Sequence, residues 1–323
     1  MHPENSHPDA QLGIHFLPEE EYVSVPLEAI PLGVPLPFPL YIKVAGKWTC
    51  FRAVNDVLTA ERVLSLERHR DSVSVPKNNW SVFLDYLERM CVVDSDEVGV
   101  IAKNMRTLLV AYGKHLEESK GLEKNAVHKL RGLGIKLADF VYQHPQTVPF
   151  ILKRYQQSEI YYASHATNVA VYSLAIAQKL TLSLEDARVL SFSCLVHNIG
   201  NSTVPVELLY KSGQLTDEEY EKMQSHPKLG SEILEYMDAP SETVLVAKQH
   251  HECIDGRGYP RNLRGREIHT FSKICTIADV YDAMISKKPS GKPGLSPQSA
   301  IEKMQTMHGK FDPEILKTIS GSA

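Results

Sequence analysis

His250-His251-Glu252-Cys253-Ile254-Asp255-Gly256-Arg257-Gly258-Tyr259-Pro260 is the stretch on which the fold turns. Two adjacent imidazoles and a carboxylate close a helix-patterned apolar segment, Ser241 to Gln249. A loop with two glycines, a tyrosine and basic residues follows at once. Imidazoles that are neutral near pH 7, with a carboxylate beside them, suit iron, manganese or zinc. A lone histidine on an apolar helix face is more often a satisfied core residue. The pair therefore gains its meaning from what surrounds it.

Four further ligand-type residues lie in the same kind of setting. His165 falls in a helical run from Tyr161 to Leu180, on a face shared with Val169, Tyr172 and Ile176. His197 ends the apolar segment Ala187 to Val196, and Gly200 stands where a glycine terminates such a helix. Thr216-x-x-Glu219 reads as a capping box that opens a helix closed by His226. Asp279 lies inside the apolar run Phe271 to Met284, and Ser296-Pro297 supplies a further N-cap with proline at the first helical position. From about Thr147 onward the chain reads as almost entirely helical.

Upstream the pattern changes. Tyr22 to Val25, Leu40 to Val44 and Trp48 to Phe51 read as strands, the last two joined by an Ala45-Gly46 turn, with helices near Leu58 to Leu66 and Trp80 to Met90. This part holds no cluster of His, Asp or Cys at catalytic spacing, which points to sensing or docking. Between the two, apolar residues recur at three- and four-residue steps (Val98, Ile101, Met105, Leu108, Leu109; Ala126, Leu130, Leu133, Ile135, Leu137). We read a mainly α chain: a small α+β regulatory or sensory domain at 1–94, a helical linker at 95–146, and an all-helical domain at 147–323. The linker fits either a hairpin packed in its own chain or a homodimer element.

Bulk properties narrow the class. Of 323 residues 43% are apolar, and a net charge of −4 argues against a polymeric nucleic acid held by bulk charge. The most apolar early stretch, Ile30 to Val44, is too short for a membrane span and is broken by Pro31, Pro35, Pro37 and Pro39. No secretory signal is visible, and five widely spaced cysteines without a CxxC pair read as reduced thiols of a cytoplasmic protein.

The ordered set of motifs resembles the HD-GYP family of phosphodiesterases, over roughly Tyr155 to Pro313. The quoted stretch matches that family's HHExxDGxGYP. Leu195-Val196-His197-Asn198-Ile199-Gly200 is similar to its HD segment, Leu215 to Pro227 to its third-ligand helix, and Ala278 to Ala283 to its final aspartate helix. The resemblance implies two divalent metal ions, iron or manganese ahead of zinc. One would be held by His165, His197 and Asp279, the other by His226, His250 and His251. It also implies hydrolysis of cyclic di-GMP, or a related phosphodiester, to the linear dinucleotide or GMP by a metal-bound hydroxide. Asp255, Gly256, Gly258, Tyr259 and Pro260 would form a substrate or partner loop, open to GGDEF-type proteins or simply a turn that caps the ligand helix.

Three positions depart from the pattern. The family's bridging aspartate is Asn198, a neutral amide with one ligating oxygen. Its phosphate-facing lysine is Asn201, and its RPYR-like loop reads Lys288-Pro289-Ser290-Gly291. Lys287, Lys288 and Lys292 either replace the lost phosphate contacts or are solvated surface. These losses leave an alternative: an impaired adaptor that keeps the fold and binds partners such as GGDEF proteins.

Overall fold

The computed structural model describes residues 22–27, 30, 32–67, 72–90, 98–118, 123–152, 161–209, 211, 213–286 and 293–320. It divides into two compact units, Met1–Asp94 and Ser95–Ala323.

In the first unit, β1 (Tyr22–Pro26), β2 (Leu40–Val44), β3 (Lys47–Arg52) and β4 (Ser72–Pro76) form an antiparallel sheet in the order β1-β4-β2-β3. Ala45 and Gly46 both have positive φ (48° and 80°), which matches the twist of a two-residue hairpin. Helices α1 (Ala60–Glu67) and α2 (Trp80–Met90) complete the α+β unit. The core gathers Val23, Val25, Leu40, Val73 and Val75 with Phe38, whose ring meets Phe83 and Tyr86 edge-on at 5.3 and 5.4 Å. β4 was missed by the sequence reading. Its Ser-Val-Ser-Val alternation is only five residues long, yet it pairs with both β1 and β2.

The second unit is helical: α3 (Val98–Glu118), α4 (Lys124–Gln143), α5 (Val148–Ile151), α6 (Tyr161–Lys179), α7 (Leu184–Val196), α8 (Val206–Leu209), α9 (Asp217–Gln224), α10 (His226–Tyr236), α11 (Ser241–Gln249), α12 (Thr270–Ile285), α13 (Pro297–Gln305) and α14 (Pro313–Ser320). Helices α3 and α4, within the stretch read as a linker (95–146), fall in this unit. Helix α4 packs along α7, and α3 packs against α6. Glycines permit the close approach. A Cβ at Gly134 would press on the Phe192 backbone at 3.0 Å, and one at Gly113 on Ala163 Cβ at 3.1 Å. Asp139 of α4 accepts a hydrogen bond from Arg188 of α7 (2.7 Å).

Two local expectations are corrected. His226 does not close the capped helix. The capping box of Thr216 and Glu219 opens α9 as expected, but α9 ends at Gln224 and His226 begins α10, because Pro227 fits only a first helical turn. Gly200 is not a left-handed helix terminus. It lies in a 3-10 turn, Ile199–Thr203, where a Cβ would overlap the His226 carbonyl and stand 2.8 Å from Gly230 N. Glycine is required there so that this turn can touch α10.

Candidate metal centre

Three of the histidines stand at helix ends, and the same physics orients each. The last carbonyls of a helix have no intrahelical partner. His197, the C-cap of α7, gives its Nδ1–H to Cys194 O (2.7 Å). His226, just beyond α9, gives its Nδ1–H to Met223 O (2.6 Å). His250, the C-cap of α11, gives its Nδ1–H to Ala247 O (2.8 Å). In each case the acceptor is the residue three positions back. The bond fixes the tautomer and leaves Nε2 as the lone-pair nitrogen.

His165, on α6, is oriented by another route. Its Nδ1–H donates to Asp282 Oδ2 on α12 (2.7 Å), while Nε2 lies 2.9 Å from Asp279 Oδ1. Asp282, 1% exposed, is itself held by Asn168 Nδ2 (2.8 Å) and Ser286 Oγ (3.1 Å).

These residues form two groups of three. In His165, His197 and Asp279, and again in His226, His250 and His251, the ligand-type atoms lie within 4.8 Å of one another. The groups adjoin: the His165 and His197 rings are 5.8 Å apart, His197 and His250 5.0 Å, and His250 and His251 4.2 Å. Asn198 is beside them, its Nδ2 donating to His197 Nε2 at 2.7 Å.

The electrostatics favour a cation. Burial pushes His197 down to about 4 and His251 to about 3, and it also lowers His226 and His250. All four rings are therefore neutral at pH 7, and each keeps one lone-pair nitrogen, which in His197 accepts from Asn198. Burial alone would lower His165 too, but its hydrogen bonds to Asp279 and Asp282 raise it to about 10. Burial works to raise the Asp279 carboxyl, yet the His165 hydrogen bond and the neighbouring histidines hold it well below the usual carboxylate range. A proton thus occupies the line between His165 Nε2 and Asp279 Oδ1. The second group carries a plainer sign. His226 Nε2 and His250 Nε2 face each other at 3.2 Å, although both rings have already committed their N–H to carbonyls. Two lone pairs at that separation repel unless a cation lies between them. The residues fit a divalent metal.

The loop after His251 is mainly a clamp. Glu252, read as a carboxylate accompanying the histidine pair, turns away from them: Oε1 accepts from Arg261 N (2.7 Å) and Oε2 from Leu263 N (2.9 Å). Asp255 accepts from Arg257 N (3.0 Å), its backbone forms an isolated antiparallel β-bridge with that of Arg264, and its own N–H donates to Gly309 O (3.0 Å). Gly256 has φ +82°, and a Cβ on Gly258 would overlap the Glu252 and Cys253 backbone. Tyr259 alone reaches the centre. Its ring stacks on His251 (4.8 Å, 21°), with Pro260 following. Burial raises its phenol, which stays protonated. Asn201 N donates to Asn198 O (2.9 Å), and its buried Oδ1 has no hydrogen-bond partner among the described residues. Lys288 and its neighbours 287–292 lie outside the described residues.

What the sequence reading missed is the support behind His165. Arg106 of α3, 2% exposed, donates to Asn168 Oδ1 (2.8 Å), Ser164 Oγ (2.6 Å) and Ile151 O (2.6 Å). An arginine on an amphipathic helix gives no sequence signal that it will be buried.

The fold and the paired ligand groups define a helical domain with two adjoining candidate metal positions. A family model described as HD domain matches residues 146–315, and the chain belongs to that family, in its HD-GYP branch. Among curated proteins it is 34% identical over 178 residues to the cyclic di-GMP phosphodiesterase PA4108 of Pseudomonas aeruginosa, covering 55% of this chain and 42% of that protein. It is 33% identical over 170 residues to a cyclic di-GMP phosphodiesterase of Thermotoga maritima (52% and 45% covered). It is 36% identical over 156 residues to the 3'3'-cGAMP-specific phosphodiesterase 3 of Vibrio cholerae (48% and 34% covered). The chain thus spans less than half the length of these relatives. Among solved structures, Bd1817, an HDG"Y"P protein from Bdellovibrio bacteriovorus, matches with a TM-score of 0.72 at 18% identity, over 93% of this chain and 99% of that one, a likeness of fold. No helix among the described residues is long and apolar enough to cross a membrane.

Proposed function

We propose that the chain is a metal-dependent phosphodiesterase acting on a cyclic dinucleotide, cyclic di-GMP foremost. The observation that carries the reading is the pair of facing Nε2 lone pairs at 3.2 Å, beside a buried His/His/Asp group. His165, His197 and Asp279 would hold one ion and His226, His250 and His251 the other, iron or manganese ahead of zinc. Such ions supply Lewis acidity, which lowers the pKa of a bound water and neutralises phosphoryl charge.

The protein's own part is orientation and desolvation. Helix-end carbonyls and Asp282 lock the rings, which limits the rearrangement that binding requires. Tyr259 covers one face of His251 and offers a phenol hydrogen-bond donor at the rim. Asn198 weakens the design, because its amide adds no negative charge between the positions and occupies the His197 lone pair. Low turnover follows.

Anaerobically purified chain loaded with Fe(II) or Mn(II) should convert cyclic di-GMP to the linear dinucleotide or GMP. His197→Ala should abolish this, and Asn198→Asp should raise it. Metal-loaded wild type and Asn198→Asp that are both silent would exclude the enzyme.

The hydrogen bond from Asn198 to His197 favours a second reading: an adaptor with impaired turnover. It would contact partners such as GGDEF proteins through the exposed side of the loop near Arg257 and Arg261, or a second copy of itself. Pull-down with a GGDEF domain by wild type but not by Arg257→Glu/Arg261→Glu, without turnover, would support it.

A further inference from the structure

We propose that Arg106 and Asn168 are positioning residues for the first metal position, acting through Asp282 on His165. The inference rests on the metal-centre reading above. It extends that reading to α3, which lies outside the segment matched by the family model.

The argument is one of hydrogen-bond direction. Asp282 is a buried carboxylate, and His165 needs one of its oxygens, Oδ2, to hold Nδ1–H and so aim Nε2 at the cation. The other oxygen, Oδ1, must be satisfied by donors or the group would turn. Asn168 Nδ2 supplies one at 2.8 Å. An amide can be flipped end for end, and the flipped form would set its carbonyl oxygen against the carboxylate. Arg106 removes that freedom. A guanidinium only donates, so Nη1 at 2.8 Å from Asn168 Oδ1 fixes which end of the amide faces Asp282.

The result is a directed chain: Arg106 to Asn168, Asn168 to Asp282, and His165 to Asp282, every donor meeting an acceptor. The guanidinium is also anchored off the chain, by Ile151 O at 2.6 Å and Ser164 Oγ at 2.6 Å. Burying an arginine at 2% exposure is costly unless its hydrogen bonds are made. The three described acceptors come from α5 and α6, so α3 is locked to the ligand helix at the level of His165. Outer-shell groups of this kind typically change metal affinity by about 10–100-fold.

Full-length wild type, Arg106→Met, Asn168→Asp and Ser164→Ala should be compared in two ways. The first is Mn(II) binding at each position by titration calorimetry. The second is the His165 Nδ1–H resonance of the metal-free proteins in nitrogen-edited proton NMR. Ser164→Ala removes one anchor of the guanidinium but leaves its bond to Asn168, so its effect on both should be smaller than that of Arg106→Met. Arg106→Met should weaken Mn(II) binding at the first position by about tenfold and shift or broaden the resonance, with the His226/His250/His251 position unchanged. Asn168→Asp, which sets carboxylate against carboxylate, should do at least as much.

An Arg106→Met protein that is less stable but keeps the resonance and the first-position affinity would overturn the proposal. If Arg106→Met does not fold, Asn168→Asp decides by the same two signals. If wild type takes no Mn(II) at the first position, the metal reading fails, while the resonance still judges the positioning chain.

Discussion

The two ligand groups adjoin, yet they are held by different means. His226 and His250 hang on backbone carbonyls at helix ends, which no point substitution removes. His165 hangs on Asp282, and Asp282 on Asn168 and Ser286, all of which are side chains. His197 of the first group hangs on a backbone carbonyl as well, so the second position should respond to backbone geometry and the first to side-chain chemistry in addition. The first also holds the only carboxylate of the two groups, Asp279, so its occupancy is tied to charge.

The largest effect expected is that of Asp279→Ala. It removes that carboxylate and leaves buried His165 with a single acid partner, so turnover and first-position metal should both be lost. Stability should fall by about 3 kcal/mol, the scale of a broken buried pair. Metal analysis and denaturant titration check this. Retained binding at both positions would erase the distinction between the groups.

Gly200→Ala tests the other side. Its Cβ would overlap the His226 carbonyl, forcing α10 from the 3-10 turn at a cost of about 3 kcal/mol. Second-position affinity should drop more than first. An equal loss at both would show that the positions behave as one body.

A pH series separates the groups without mutation. In chelator-treated protein, the folded histidines 197, 226, 250 and 251 titrate below their unfolded value. The unfolded chain therefore takes up protons first, and stability should fall as pH drops from about 6.5 through 4, by up to about 1.4 kcal/mol per pH unit for each ring. His165 has the opposite sign. Raised to about 10, its contribution is full below about 6.5 and is lost as pH rises toward 10. Urea midpoints across this range should trace a maximum near pH 6.5, and a flat profile would contradict the burial of the rings. The smallest effect is that of Asp282→Asn, about 10–100-fold in first-position affinity with little change at the second.

Much of the centre was legible in the sequence because its ligands lie where helices end. His197, His250 and His251 follow apolar runs, and the tandem pair leads directly into the loop. The six ligand-type residues expected from the resemblance are brought together. The roles of Gly200 and Glu252 were not legible, since each depends on a backbone that approaches from elsewhere: α10 in one case, Arg261 and Leu263 in the other. Helices α3 and α4 read as a linker because an amphipathic pattern shows that a face is buried but not against what. β4 was hidden by its brevity.

Crystals of the Mn(II)-loaded full chain, with anomalous data collected at the manganese edge, test the central claim most directly. The account predicts two peaks, one among His165, His197 and Asp279 and the other between His226 and His250 with His251 alongside. A centre with no peak between His226 Nε2 and His250 Nε2 would contradict it.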